Sequence, residues 1–193
     1  MQSISDFFAE LDHAWGDEAV PVILPLFGAG ALVLQTAYYR ATKDSDIFET
    51  LQHTASIKSR LQQLAGRDAV LHRRHRMYLE FVPNGIPFFP REPLWHPVPL
   101  RLRWLRIQAL DITDVEVSKL ARFHADDRQD IDEMVQRGLV SHTRLYERFV
   151  DAVHERSMDA RADQLPAYVD RFHTVERDMF GTEESEIELP SWI

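Results

Sequence analysis

The stretch FGAGALVLQTAYYRATKDSDIFE, residues 27–49, decides the fold prediction for this chain. It opens with a turn of small residues at Gly28–Gly30, continues as an apolar, helix-like run and ends in an extended segment that carries Asp44 and Asp46. Side chains alternate along an extended segment, so the two carboxylates are expected on the same face. A turn of small residues lets backbone amides approach a phosphate group closely. Together the two features indicate a site for a metal-bound nucleoside triphosphate.

A third carboxylate follows in the strand pattern MYLEFV, residues 77–82. The alternation of this segment predicts that Tyr78 and Glu80 share one face of a strand. Glu80 would then complete a three-carboxylate cluster with Asp44 and Asp46. Carboxylate oxygens are hard ligands that suit Mg²⁺ or Mn²⁺. Two such ions in line activate an attacking hydroxyl and stabilise a leaving pyrophosphate, so the expected cofactor is Mg²⁺ or Mn²⁺.

Strand and helix patterns alternate in the first part of the chain, and only helical patterns follow from Asp114 onward. The proline-rich segment Pro83–Pro99 predicts an extended connection between two strands. The predicted fold class is therefore α/β (α+β). The predicted domains are an α/β core, a helical C-terminal region and an acidic tail, over residues 1–112, 113–180 and 181–193.

Composition and charge exclude several classes of function. The 193 residues include no cysteine, which excludes disulfides, cysteine–zinc sites and thiol nucleophiles. The net charge is +1 over residues 1–110 and −10 over residues 111–193, so generic duplex DNA binding over a large face is not expected. The longest apolar stretch, Val20–Leu34, is interrupted by prolines and glycines and is shorter than the roughly 20 residues of a membrane-spanning helix. The acidic N-terminus does not have the pattern of a signal peptide. We therefore expect a soluble, cytoplasmic protein without membrane contact.

A basic cluster, Leu71–Arg76, precedes the strand that carries Glu80. A solvated loop is the default interpretation of such a cluster, and a nucleotide or nucleic-acid contact is the alternative. Arg101, Arg103 and Arg106 would extend the cluster if their strand lay beside that of Glu80.

The order of these motifs resembles a known family. The relevant segments are Gly28-Ala29-Gly30-Ala31-Leu32, Arg40-Ala41-Thr42-Lys43-Asp44-Ser45-Asp46, Tyr78-Leu79-Glu80-Phe81-Val82, Ser118-Lys119-Leu120-Ala121-Arg122 and Asp127-Arg128-Gln129-Asp130. Over roughly residues 20–155 the chain resembles bacterial nucleotidyltransferase-fold domains of uncharacterised function, akin to minimal nucleotidyltransferases and the AbiEii-type abortive-infection toxins. The resemblance implies a small mixed sheet flanked by helices, with the C-terminal helical region packed on the core.

The resemblance also implies roles for particular residues. Asp44, Asp46 and Glu80 would be catalytic and hold the metal. The nucleotide-binding residues would be Gly28, Ala29, Arg40, Thr42 and Lys119. The implied function is metal-dependent transfer of a nucleoside monophosphate (NMP) from a nucleoside triphosphate (NTP) to a hydroxyl on protein or RNA, in a toxin–antitoxin or phage-defence system.

Two positions depart from the family pattern and support an alternative function. Ala29 stands where the turn commonly has glycine or serine, and Glu80 stands where aspartate is usual. A catalytically weakened or inactive protein on the same fold, acting by binding a partner protein, is therefore the second hypothesis. Because residues 111–193 are acidic, we expect such a partner to be basic.

Overall fold

The structure is a computed structural model that describes residues 4–16, 20–40 and 42–192. Ala41 in the segment before the aspartate pair, and Ile193 at the end of the acidic tail, lie outside the described residues. The chain divides into two compact units, Met1–Ile86 with Trp95–Leu110 and Pro87–Leu94 with Asp111–Ile193. The three-part domain division stays a prediction.

The first unit contains the strands. In the described residues its elements are α1 (Ile4–Trp15), β1 (Val22–Phe27), α2 (Gly28–Gln35), β2 (Asp44–Phe48), α3 (Ala55–Ala65), α4 (Val70–His75), β3 (Tyr78–Val82), β4 (Trp95–Pro97) and β5 (Leu105–Leu110). The strands form one sheet in the order β3-β2-β1-β5-β4. β1 is parallel to β5 and β2 is parallel to β3, whereas the β1–β2 and β4–β5 pairs are antiparallel.

The central strand β1 is apolar because it is covered by neighbours on both edges and by helices. Val22, Leu24 and Leu26 are buried, and α2 follows the strand without a loop and packs against β1, β2 and β5. α3 packs against β3 and against α1. The prediction of a small mixed sheet with flanking helices is confirmed.

Asp12 on α1 positions the start of β5. Its two carboxylate oxygens accept hydrogen bonds from the backbone N–H groups of Arg103, Trp104 and Leu105, at 2.8, 2.8 and 2.7 Å. Asp12 is buried, so these bonds satisfy a carboxylate that would otherwise be costly to remove from water. α1 is thereby fixed to the strand that lies next to β1.

The default interpretation of the basic cluster Leu71–Arg76 as a loop is wrong, because this segment forms α4. Leu71 is buried, and the ring of His75 lies 5.7 Å from that of Phe7 on α1. Arg76 ends the helix in the left-handed conformation. The extension of the cluster by the strand of Arg106 is also wrong, because β2 and β1 separate β5 from β3.

The second unit is helical, as predicted. Its described elements are α5 (Ile112–Leu120), α6 (Ala125–Gln136), α7 (His142–Ser157), a 3₁₀ turn (Ala162–Gln164), α8 (Leu165–Val175) and a π-helical turn (Glu176–Phe180). The rings of Phe149 and Phe172 stack at 4.5 Å between α7 and α8. No helix in the described ranges is both long enough and apolar enough to cross a membrane.

The segment after the last helical turn is held at Ser185. Its hydroxyl and backbone N–H donate to the buried carboxylate of Glu176 at 2.6 and 3.0 Å, and His142 Nε2 lies 2.8 Å from the same carboxylate. Burial acts to raise the pKa of Glu176, but the hydrogen bonds from Ser185 and His142 outweigh it, and the pKa lies below the ordinary value.

Candidate metal centre

The parallel pairing of β2 with β3 brings the three predicted carboxylates together. Asp46 lies opposite Glu80 in the register, and Asp44 lies opposite Tyr78. One oxygen from each of Asp44, Asp46 and Glu80 lies within 4.8 Å of the other two. Alternation along β2 places Ser45 and Ile47 in the core and leaves both aspartates half-buried on the other face. The three carboxylates that the sequence singled out therefore form one cluster.

The cluster fits a hard divalent cation. Oxygens bound to one Mg²⁺ at about 2.1 Å lie at most about 4 Å apart, so a group within 4.8 Å needs little movement to reach a common ion. Three carboxylates at this separation repel one another unless a cation offsets their charge. Glu80 is exposed and the aspartates are half-buried, so the cluster is accessible to a ligand from solvent. The longer side chain of Glu80 does not remove it from the group.

Gly28 brings the start of α2 against the cluster. Its φ of +67° lies in the left-handed region, and a Cβ placed on it would stand 2.8 Å from Asp46 Oδ2. The register explains this contact, because Phe27 at the end of β1 lies opposite Asp46. α2 has no side-chain cap at Phe27 and no acidic residue in its first turn. The backbone N–H groups at a helix start are the groups that bind phosphate in other proteins, which supports the role predicted for Gly28 and Ala29.

Thr42 orients the first aspartate. Its hydroxyl lies 2.9 Å from the Asp44 carbonyl oxygen and 3.4 Å from Asp44 Oδ1, which anchors the start of β2. Arg40 is half-buried two residues earlier. The nucleotide-binding roles of Thr42 and Arg40 stay predictions.

Tyr78 borders the cluster and is contacted by Arg67 and His72, and sequence reasoning assigned none of the three to the site. The hydroxyl of Tyr78 accepts a hydrogen bond from Arg67 at 2.7 Å, and the ring of His72 meets that of Tyr78 edge-on at 5.2 Å. Burial raises the pKa of Tyr78 above its ordinary value of 10.0. The charges of Asp44 and Glu80 raise it further, against the opposing effect of Arg67. These residues are recognised from the register of β2 on β3, which places Tyr78 opposite Asp44. A sequence pattern does not specify that register.

Lys119 lies in the second unit within a network of buried charges. Its Nζ donates to Asp130 at 2.7 Å and lies 3.4 Å from Asp127, and all three side chains are buried. Arg122 donates to Asp127 through two nitrogens, at 2.7 and 2.8 Å. Burial acts to raise the pKa of Asp127, but Arg122 and Lys119 hold it below its usual value. These contacts give Lys119 a structural role, and its nucleotide-binding role stays a prediction.

The comparison with known proteins identifies a family. No curated protein and no solved structure is significantly similar to the chain. Residues 4–178 match the family described as "nucleotidyltransferase of unknown function (DUF6036)". This match covers most of the chain, including β1, all three carboxylates and the first turn of α2 at Gly28–Gly30, which we call the Gly28 turn. The chain therefore belongs to this family of nucleotidyltransferases of unknown function, and the resemblance to a nucleotidyltransferase-fold domain of uncharacterised function is confirmed.

Proposed function

We propose that this protein transfers an NMP from an NTP to a hydroxyl group of an acceptor, with Mg²⁺ or Mn²⁺ as cofactor. The acceptor oxygen forms a bond to the α-phosphorus, the bond from the α-phosphorus to the β-phosphate oxygen breaks, and pyrophosphate leaves. The observation that carries the proposal is the cluster of Asp44, Asp46 and Glu80 within 4.8 Å, beside a turn with a phosphate-binding composition. Family membership supports it independently.

Each residue of the candidate site has its own role in this proposal. Asp44 and Asp46 would hold the cation, and Thr42 orients Asp44. The N–H groups at Gly28 and Ala29 bind the phosphates of the NTP. Glu80 would complete the ligand set, and the proton of the attacking hydroxyl passes to Glu80 or to water. When bound, the divalent cation supplies positive charge that offsets the charges of the phosphates and carboxylates.

The acceptor is a hydroxyl on RNA or on a protein in this proposal. The resemblance to AbiEii-type toxins supports a setting in a toxin–antitoxin or phage-defence system in the cytoplasm. The geometry of the carboxylates does not distinguish these two acceptors, so the experiment offers both and first measures whether an NMP is transferred from the NTP.

Label transfer from each of the four α-³²P-labelled NTPs, with Mg²⁺ or Mn²⁺, tests the proposal on total cellular RNA and on a protein extract. The test variant is Asp44→Asn with Asp46→Asn. The control variant is Asp163→Asn with Asp170→Asn, which makes the same chemical change at two exposed aspartates of the second unit. We expect transfer by the wild type and the control and at least a 100-fold loss in the test variant, the order of loss when electrostatic stabilisation is removed. Transfer that survives in the test variant would refute the assignment.

The second candidate function is non-catalytic binding of a basic partner protein. Its specific support is the segment after Gly181, where Glu183, Glu186 and Glu188 are exposed and make no ion pair within the part of the chain that the structure describes. Calorimetry with a basic protein encoded nearby, with and without Glu183→Gln, Glu186→Gln and Glu188→Gln together, tests it. Partner binding that depends on these residues, in a protein that binds no metal–NTP, would favour this function over transfer.

A further inference from the structure

Two different chemical environments flank the carboxylates along the sheet. The strand order β3-β2-β1 puts β2 between the other two strands. On the β1 side lies the Gly28 turn, in contact with Asp46. On the β3 side lies Tyr78, opposite Asp44. When the phosphates of the NTP occupy the Gly28 turn, the β3 side is left for the acceptor.

The β3 side carries four exposed cations, which we call the basic rim: Lys43, Arg67, Arg73 and Arg76. The pairing of β2 with β3 brings these residues together from two distant segments, because the Tyr78 N–H donates to the Lys43 carbonyl oxygen at 2.9 Å. Arg76 precedes Tyr78 by two residues, and Arg67 donates to the Tyr78 hydroxyl. Two members of the rim are thereby linked to the surroundings of Asp44, because Lys43 precedes it in the chain and Arg67 contacts Tyr78, which lies opposite it.

The charges of the basic rim are not neutralised by the protein. Among the described residues, none of the four cations forms an ion pair with a carboxylate, whereas the adjacent Arg74 is paired with Glu10. Arg73 donates to the backbone carbonyl of Asp68, whose own N–H donates to His72 Nδ1 at 2.9 Å. These contacts order the rim without removing its positive charge, although the protein as a whole has a net charge of −9. A cluster of unpaired cations in an acidic protein favours an anionic ligand at that place.

An aromatic side chain stands among these cations. The Arg67 guanidinium carbon lies 4.7 Å from the centre of the Tyr78 ring, and the His72 ring meets its edge. Tyr78 is half-buried, not buried, with these two neighbours in place. Proteins that bind single-stranded nucleic acid combine cations that track the phosphates with aromatic rings and guanidinium planes that stack on bases. An acidic peptide would use the cations but would not use the ring face.

We propose that the basic rim binds a single-stranded nucleic acid and that a terminal hydroxyl of this strand is the acceptor. The binding surface stands on the contacts above, and only the acceptor role rests on the proposed function. The nucleic acid lies across β3 with its phosphates on the basic rim. Its terminal hydroxyl enters the carboxylate cluster from the side opposite the Gly28 turn.

Fluorescence anisotropy with a labelled single-stranded RNA of about 12 nucleotides tests the binding surface without NTP or turnover. A polyglutamate peptide of matched charge is the comparison ligand. The rim variant is Arg73→Gln with Arg76→Gln. The control is Arg101→Gln with Arg106→Gln, which removes the same charge from exposed positions near β5 in the same unit. Urea denaturation of all variants checks that each remains folded.

The rim variant should lose two phosphate contacts. Each contact contributes about 0.7 to the slope of log K against log salt for a single strand, so the slope falls by about 1.4 and the affinity in about 0.1 M salt falls about 25-fold. The control keeps wild-type affinity. Equal RNA affinities in the rim variant and the control would overturn the inference, and so would polyglutamate binding as tight as that of RNA.

Label transfer separates this inference from the proposed function. If the wild type binds RNA through the rim but transfers no NMP from any NTP, the proposed reaction fails and the binding surface stands. If transfer occurs only to protein and the rim variant transfers as fast as the wild type, the reaction stands and the nucleic-acid acceptor is refuted.

Discussion

Replacement of Gly28 by alanine should damage the metal centre through a single methyl group. An L-residue in the left-handed region costs about 1–2 kcal/mol of stability, because its Cβ crowds the following carbonyl oxygen. The φ of Gly28 is +67°, so Gly28→Ala incurs this cost. The added Cβ would also stand 2.8 Å from Asp46 Oδ2, against an ordinary contact that begins at 3.4 Å. The carboxylate oxygen must therefore retreat by about 0.6 Å, more than the roughly 0.5 Å tolerance of a preorganised site.

The expected result is a specific loss of metal affinity beyond the loss of stability. Mutation of a group that orients a metal ligand typically costs 10- to 100-fold in metal affinity, so the Kd for Mn²⁺ should rise by about that factor. Calorimetric titration with Mn²⁺, in the presence of a non-hydrolysable ATP analogue, measures it. Urea denaturation gives the change in the free energy of unfolding.

Gly138 provides the matched control. Its φ of +68° is nearly that of Gly28, but a Cβ placed on it would meet nothing within 4 Å. Gly138→Ala should lose about the same 1–2 kcal/mol and keep wild-type Mn²⁺ affinity. If Gly28→Ala and Gly138→Ala bind Mn²⁺ equally well, the contact between the turn and Asp46 does not control the site, and the reasoning is refuted.

Three further predictions concern stability. Asp12→Ala leaves three backbone N–H groups without their carboxylate, so it should lower the free energy of unfolding by about 3 kcal/mol in urea denaturation. A loss below about 1 kcal/mol would contradict the role of Asp12 at the start of β5. Lys119→Met leaves two buried aspartates without their ammonium partner and should lower the free energy of unfolding by about 3–5 kcal/mol. A variant that is as stable as the wild type but has lost NTP binding would instead support the nucleotide-binding role of Lys119. The pKa of Glu176 is lowered in the folded protein, so its contribution to the free energy of unfolding is complete above the ordinary value of 4.5 and is lost as the pH falls through the folded-state pKa. Glu176→Gln should therefore flatten the decline of stability below about pH 4.5 in urea denaturation. An unchanged decline would show that other carboxylates cause it.

Local patterns were sufficient for the elements that the site needs. The alternation of DSDIF and of MYLEFV predicted two strands, and the same period of two predicted that Asp44 and Asp46 share a face. The helical spacing after Asp114 predicted the helical second unit. These predictions succeeded because each depends on neighbours within a few residues, where the geometry of the backbone alone relates one side chain to the next.

Local patterns were insufficient where a residue's role depends on its partner. Charge composition indicated a solvated loop at Leu71–Arg76, but burial of Leu71 and the contact between His75 and Phe7 stabilise a helix there. The proline-rich segment Pro83–Pro99 has no strand pattern, yet it contains β4, because Trp95–Pro97 pairs with β5. The resemblance predicted a nucleotide-binding role for Lys119, and only the tertiary structure shows that its ammonium group is paired with Asp127 and Asp130.

The sequence by itself determined the α/β class, the two aspartates on one face and the glycine turn before them, because these follow from backbone periodicity and from the conformational freedom of glycine. Only the tertiary structure decided that Glu80 stands opposite Asp46, that Gly28 contacts Asp46, and that Lys43, Arg67 and Tyr78 meet on one side of the cluster. These placements depend on which strands pair, in which direction and in which register. That choice is made by the burial of the whole apolar face, and a shift of one residue would turn every carboxylate to the other side of the sheet.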